Sequence, residues 1–274
     1  MVDTKRQPRR KGEEEQKEVV RRSGPESVVL HEAMVLQGEH ELDRPAASLF
    51  WSALAAGIAV SISIIAEGAL HQRLPDAPWR ELITGWGYAF GFIIVIMGRL
   101  QLFTEHTVVA VTPALATPSL GNFEKLARLW AIVFIGNQLG AFVAALSFAR
   151  LGLTGPELTA AMIEISRPAM ERTFAETLLQ AIPAGFIIAA IAWLIIAAKT
   201  GHFWIIALLA YMIAIGQFPH VIASACGAYL LALTGNAPTL WPATGFVIPA
   251  LIGNIIGGTG LFALFSYAQI KDEL

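Results

Sequence analysis

Apolar residues in this chain do not alternate with polar ones. They come in runs near the ~20 residues that a helix needs to cross about 30 Å of hydrocarbon. The runs fall at 46–70, 82–115, 126–149, 174–198, 203–233 and 244–268. Four read as single crossings. The second and fifth are too long for one crossing and are interrupted, by Arg99, Gln101, Thr104, Glu105 and His106 in one and by Gly216-Gln217-Phe218-Pro219-His220 in the other. The pattern predicts an all-α membrane protein of six transmembrane helices, with the second and fifth broken. Residues 25–44 have helix-compatible spacing of Val28, Val29, Ala33 and Leu36. They read as a solvated helix or as an interfacial helix lying against the first span. Residues 1–24 are polar and charge-dense, which predicts disorder. The chain thus divides into a charged tail, 1–44, and a six-helix membrane domain, 45–274.

The runs also repeat. Gly98 opens the first break and Gly136-Asn137-Gln138-Leu139-Gly140 follows it; Gly216 opens the second and Gly253-Asn254-Ile255-Ile256-Gly257 follows. GRLQLFT therefore matches GQFPHVI, and IGNQLG matches IGNIIG. Each half holds three spans, an odd number, so the two copies insert in opposite senses. Inverted repeats with discontinuous helices in matching places are a pattern of transport proteins, with the solute path at the breaks. Two kinks in packed helices would give the same interruptions. Gly87/Gly91, Gly136/Gly140 and Gly253/Gly257 have the small-xxx-small spacing that lets helix backbones approach.

Composition agrees with a bilayer: 55% of residues are hydrophobic and 15% charged, against about 25% charged in soluble domains. The first 44 residues hold 9 of the 19 Lys and Arg, mixed with ten acids, so no basic face marks a nucleic-acid partner. Lys and Arg outside the breaks divide 13 to 5 between the two sides, and the richer side, with both termini, is expected to be cytoplasmic. The first 20 residues show no apolar signal-peptide core, so the first span is expected to direct insertion. The ending Lys271-Asp272-Glu273-Leu274 matches an ER-retention address, but with both ends in the cytosol it reads as chance. Cys226 is the only cysteine; it can form no internal disulfide and reads as a packing residue.

A broken helix exposes backbone polar groups, which survive at membrane depth only against protein or a wet cavity. His220 lies in the second break and reads as a pathway residue or as a satisfied core histidine. Leu102, Phe103 and Thr104 occupy the matching point of the first break, as a narrow gate or as ordinary packing. Glu105 and His106 could relay a proton, gate the loop or simply pair with each other. Glu67 and Arg99 could form a structural ion pair. No metal-ligand motif, nucleophile elbow or phosphate loop is present, so no enzyme activity, cofactor or metal is expected.

GRLQLFTEHTVVAV in the second span, FPHVIAS around His220, FIGNQLGA in the third span, TFAE and AW across the fourth, and IPALIGNIIGG in the sixth together resemble the formate/nitrite transporter family, as a divergent branch. The likeness covers about residues 45–270. It implies an aquaporin-like inverted 3+3 repeat, a bacterial inner-membrane location and a homopentamer with one pore per subunit. It further implies that Leu102, Phe103 and Thr104 form the cytoplasmic-side constriction and its mobile loop. His220 would be the central histidine, Tyr88, Phe92 and Ile213 constriction residues, and Ser224 a pathway residue. Gln101, Pro219 and Ser224 stand where the family has Glu, Glu and Asn. Gly185 replaces a fourth-helix Asn, and Arg172 matches a basic residue before that helix.

The implied function is passage of a small monovalent anion such as formate or nitrite, crossing the Leu102/Phe103 region as its protonated weak acid with His220 and Thr104 handling the proton. A channel for a neutral solute (water, ammonia or an undissociated acid) and a non-conducting membrane scaffold or sensor remain the alternatives.

Overall fold

The computed structural model describes residues 27–271. The tail 1–24 and the last three residues of the Lys-Asp-Glu-Leu ending lie outside the described residues, so neither reading is addressed by the fold.

Every described element is helical. Helix α1 (Ser27–Leu42) precedes the first span, formed by α2 (Ala46–Val60) and α3 (Ile62–His71). The first broken span is α4 (Arg80–Met97) and α5 (Val111–Ala116), and α6 (Leu120–Arg150) completes the first copy. After α7 (Gly155–Ser166), the second copy runs through α8 (Phe174–Ala197), the broken pair α9 (His202–Ile215) and α10 (Ala225–Leu233), and a last span. That span holds α11 (Ile248–Ile255) between two π-helical segments, Pro242–Val247 and Ile256–Ala263, and ends in α12 (Leu264–Ile270).

Among the described residues five helices are long and apolar enough to cross a membrane. The exception, α9, has 14 residues, about 21 Å at 1.5 Å per residue, so it falls short of the ~30 Å core. Only its continuation through the break into α10 completes the crossing. Six crossings result.

Local chemistry sets the ends of these helices. Ser119 accepts the Asn122 N–H at 3.1 Å and starts α6. Thr173 and Glu176 form a reciprocal capping box at α8, which satisfies two otherwise orphan groups. The first span bends at Ser61, whose hydroxyl donates back to the Gly57 carbonyl at 2.8 Å, a bond that bends helices.

The copies pack alike. α2 lies along α6 and α8 along the last span, while the broken helices α4 and α9 meet in the middle. Gly57 rests on the backbone carbonyl of Asn137, and Gly185 rests likewise on that of Asn254. A Cβ at either glycine would run into that oxygen, so this absence of a side chain is what lets the two helices touch. Gly185, read from sequence as a departure, is here the counterpart of Gly57.

Two expectations are corrected. Helix α1 buries His31, Met34, Gly38 and Leu42, whereas Val29 and Leu36 are exposed. It packs on α5 rather than on the first span, with Gly38 against Val109 and Pro113. Between the third and fourth spans, residues 155–166 form α7, which opens at Pro156, a residue suited to a first helical turn. Glu67 and Arg99 do not pair. The Glu67 backbone lies beside Gly87, and Arg99 is twelve residues further along the chain, roughly 18 Å down a helix.

Helix α1, the start of α6 and the end of the last span share one end of the bundle. Gln269 donates to Ser27 at 3.2 Å, Arg128 to the Arg44 carbonyl at 3.0 Å, and Lys125 meets Asp43 at 2.6 Å. The Lys125 hydrogen bond and charge hold the Asp43 carboxyl below its usual range.

Candidate functional site

Both breaks begin with the same turn. After α4, Arg99 takes φ 51°, and after α9, Gln217 takes φ 49°. The Leu100 N–H reaches Val95 O at 2.9 Å and the Arg99 N–H reaches Ile96 O at 3.1 Å. In the second copy Phe218 reaches Ile213 O at 3.0 Å and Gln217 reaches Ala214 O at 2.9 Å. This is the Schellman termination, in which the left-handed position normally belongs to glycine. A larger residue there costs roughly 1–2 kcal/mol, so the surroundings must hold it in place.

They do so through two asparagines, both fully buried. Asn137 on α6 accepts the Phe103 N–H at 2.8 Å and donates its amide to the Ala53 and Gln101 carbonyls, both at 2.8 Å. Asn254 on α11 accepts the Val221 N–H at 2.9 Å and donates to Ala181 O at 2.8 Å and Pro219 O at 3.1 Å. Each side chain satisfies backbone groups that a broken helix leaves bare and ties the break to the first helix of its own copy.

The breaks meet at one bond: Thr104 Oγ1 lies 2.8 Å from His220 Nε2, with both residues fully buried. His220 Nδ1 receives the N–H groups of Ala223 at 3.0 Å and Ile222 at 3.3 Å. Backbone N–H can only donate, so Nδ1 is the acceptor and the ring proton sits on Nε2, an assignment made from the hydrogen-bond network. Nε2–H then donates to Thr104, whose own hydroxyl proton has no acceptor among the described residues.

Aromatic rings flank this pair. Phe92 meets the His220 ring edge-on at 5.1 Å, and Tyr88, one turn earlier on α4, lies 5.2 Å from Phe92. Phe103 packs edge-on against Trp130 at 5.5 Å and Phe134 at 5.2 Å. Leu102 and Ile213 are buried, and Ser224, half-buried, caps α10 with its N–H on the His220 carbonyl at 3.1 Å. Leu102, Phe103, Thr104 and His220 are all at most 2% exposed, so no opening exists where the breaks meet.

Glu105 and His106 are not brought together by their side chains. His106 Nε2 bonds the Gln101 amide oxygen at 2.7 Å, and its carbonyl accepts Trp130 Nε1–H at 3.1 Å. The pairing that joins residues five apart is Gln101–His106, so the acid–imidazole relay read from adjacency is not formed. Arg172 sits at the other end of the bundle, donating to the Gln217 carbonyl at 3.0 Å and to Gln180 at 2.7 Å. Cys226 is buried in α10. Among the described residues no three His, Cys, Asp or Glu side chains gather as a metal site requires.

Asn137 and Asn254 were not among the residues singled out as functional, although the matched IGN motifs carried the signal. Gln138 was missed without a signal. Its amide donates to Val221 O at 2.9 Å and its oxygen accepts the Tyr229 hydroxyl at 2.7 Å, contacts that cross between the copies and leave no spacing to read.

The sequence profile described as Formate/nitrite transporter matches residues 28–268. The inner membrane protein YfdC of Escherichia coli (strain K12) is 37% identical over 248 residues, which is 90% of this chain and 80% of that protein. The structure titled "Pentameric formate channel with formate bound" superimposes with a TM-score of 0.69 at 22% identity, covering 82% of this chain and 97% of that one. One titled "FNT family ion channel" does so at 0.74 and 16%, covering 89% and 98%. At those identities the two structures speak to the fold.

Proposed function

The chain belongs to the formate/nitrite transporter family, and from that premise we propose that it carries a small monovalent anion, as its neutral weak acid, through a pathway within each subunit. The observation that bears this reading is the Thr104–His220 bond at 2.8 Å joining the two breaks. Moving an anion into an apolar constriction costs about 20 kcal/mol in the idealised limit and several in practice. A neutral acid avoids most of that. His220 Nε2–H, by donating to Thr104, makes the Thr104 hydroxyl a stronger donor toward a solute. The two backbone donors on Nδ1 fix the ring in that orientation.

In this reading Tyr88, Phe92 and Ile213 form the outer constriction, and Leu102 and Phe103 the inner one. Because no opening exists where the breaks meet, passage requires residues 98–110 to move aside. The Lys/Arg distribution supports cytoplasmic termini, and the relative titled as a pentameric channel supports a homopentamer.

The test is flux of formate and nitrite in proteoliposomes. His220→Gln and His220→Ala are expected to lower flux by about tenfold or more, the equivalent of losing roughly 1.4 kcal/mol of stabilisation, and to flatten its pH dependence. Unchanged flux in both would remove His220 from the pathway. Osmotic swelling with no formate or nitrite flux would instead establish a neutral-solute channel.

A further inference from the structure

A solute that reaches Thr104 as a neutral acid has already collected a proton, and His220 is poorly built to supply it. Its Nε2–H is the only ring proton the hydrogen bonds allow, and giving it away would leave an imidazolate.

Glu67 lies toward the end of α3, one turn beyond Ser63, whose hydroxyl donates to the Tyr88 carbonyl at 2.6 Å. The Glu67 backbone is packed directly on Gly87, with no room for a Cβ between them. The Tyr88 hydroxyl beside it is buried and has no hydrogen-bond partner. The Ser224 hydroxyl approaches that phenol without meeting hydrogen-bond geometry, and the Glu67 carboxyl is near enough for its charge to be felt there. A buried hydroxyl without a partner calls for an explanation, and a solute or water between these groups supplies one. From Tyr88 the rings lead through Phe92 to His220.

Glu67 also lacks a cation. Among the described residues no basic group stands within ion-pair distance of it: Arg80 pairs with Asp76, His71 with Glu164, Arg73 bonds the Ala69 carbonyl and Arg167 bonds Asn236. The other charged groups on the elements packed against α3 are Glu81 on α4 and Glu157 and Glu164 on α7, all acids. An unpaired carboxylate at membrane depth is costly and marks a functional residue by default. The residue is half-buried within the subunit.

We propose that Glu67, Tyr88 and Ser224 form an outer loading station where the Glu67 carboxylic acid protonates a small anion held by the two hydroxyls. This rests on the weak-acid reading above. The Glu67 O–H bond breaks and a bond from the same proton to the anion forms, leaving a carboxylate and a neutral acid. Water on the outer side then returns a proton to Glu67, so one proton enters with each anion.

The experiment is formate influx into proteoliposomes, with an internal pH-sensitive dye reporting protons that enter alongside. Wild-type protein must first carry formate; if it does not, the functional reading itself fails, whatever Glu67 does. Given wild-type flux, Glu67→Gln should lose about tenfold or more of the influx at neutral outer pH, within the range expected for a positioned acid. It should lose less near pH ~5.5, where the undissociated acid is more abundant. Glu67→Asp should restore part of the rate, and Tyr88→Phe should lower influx near neutrality without changing the assembly's size in detergent. Wild-type influx and pH profile in Glu67→Gln would overturn the proposal. If that variant does not fold, a wild-type pH profile in Tyr88→Phe overturns it instead.

Discussion

The two breaks share a design and differ in restraint. Each starts with the same left-handed turn and is held by one asparagine from the third helix of its copy. The second break, 216–224, is short and closes on its own histidine: two of its backbone N–H groups bond the His220 ring, while from outside Gln138 holds the Val221 carbonyl and Arg172 the Gln217 carbonyl. The first, 98–110, is longer by a 3-10 turn, Glu105–Thr107. Part of its bonding stays within itself, through Gln101–His106 and Thr107–Thr104. From outside it is tied by Ser52 on the Gln101 N–H, Trp130 on the His106 carbonyl and Thr259 on the Thr107 carbonyl. In the pathway proposed above, the shorter second break, closed on its own backbone, presents a fixed histidine, and the longer first break is the part that moves.

The asparagines give the sharpest test of this difference. Asn254→Ala strips three buried bonds from the rigid break, each worth about 1–3 kcal/mol when its partner is left unpaired. It should lower the thermal midpoint in detergent most of all and abolish flux. Asn137→Ala removes the same number of bonds from the mobile break and should destabilise less, while raising leak through the constriction. Equal destabilisation with no leak would erase the distinction.

Thr104→Val keeps the shape and removes the hydroxyl. It should cut formate flux by about tenfold, the worth of one good hydrogen bond, with little change in melting. A flux loss matched by an equal melting loss would mean the bond is only structural. Glycine at the left-handed positions should separate the breaks next. Arg99→Gly is expected to stabilise by roughly 1 kcal/mol through relief of backbone strain. Gln217→Gly should gain less, because Gln217 also bonds Arg172 and Glu81 through its side chain.

The smallest effect concerns α1, which packs on the first break's side of the bundle, at Val109 and Pro113. Asp43 binds Lys125 and its carboxyl is held below the usual range. That contribution is complete above the unfolded value, about 3.9, and is lost as pH falls through the folded one. Being exposed, the pair is weak. Hydrogen exchange at acid pH should rise slightly in 27–42 and 98–110 and not in 216–224.

Much of this was legible beforehand. Run length, the two interruptions and the repeated IGN motifs led to six crossings and an inverted repeat, because a bilayer imposes one length on every helix and leaves few ways to break one. The candidate center was legible too, since His220 and Thr104 stand in matched interruptions. Helix α1 was read as solvated or as lying against the first span because its apolar spacing fits either; the face it buries, with His31, Met34, Gly38 and Leu42, is set by its packing on α5. Adjacency misled for Glu105 and His106, since the 3-10 turn there points the imidazole back to Gln101.

The sequence by itself determined the membrane class, the number of crossings and where they break, because hydrophobic length and helix-breaking residues act locally along the chain. Only the tertiary structure decided which carbonyls Asn137 and Asn254 clamp, which nitrogen of His220 carries the proton, and that Glu67 packs by Gly87 rather than Arg99. Those are relations between residues far apart in sequence, set by where packed helices meet, and no local pattern encodes them.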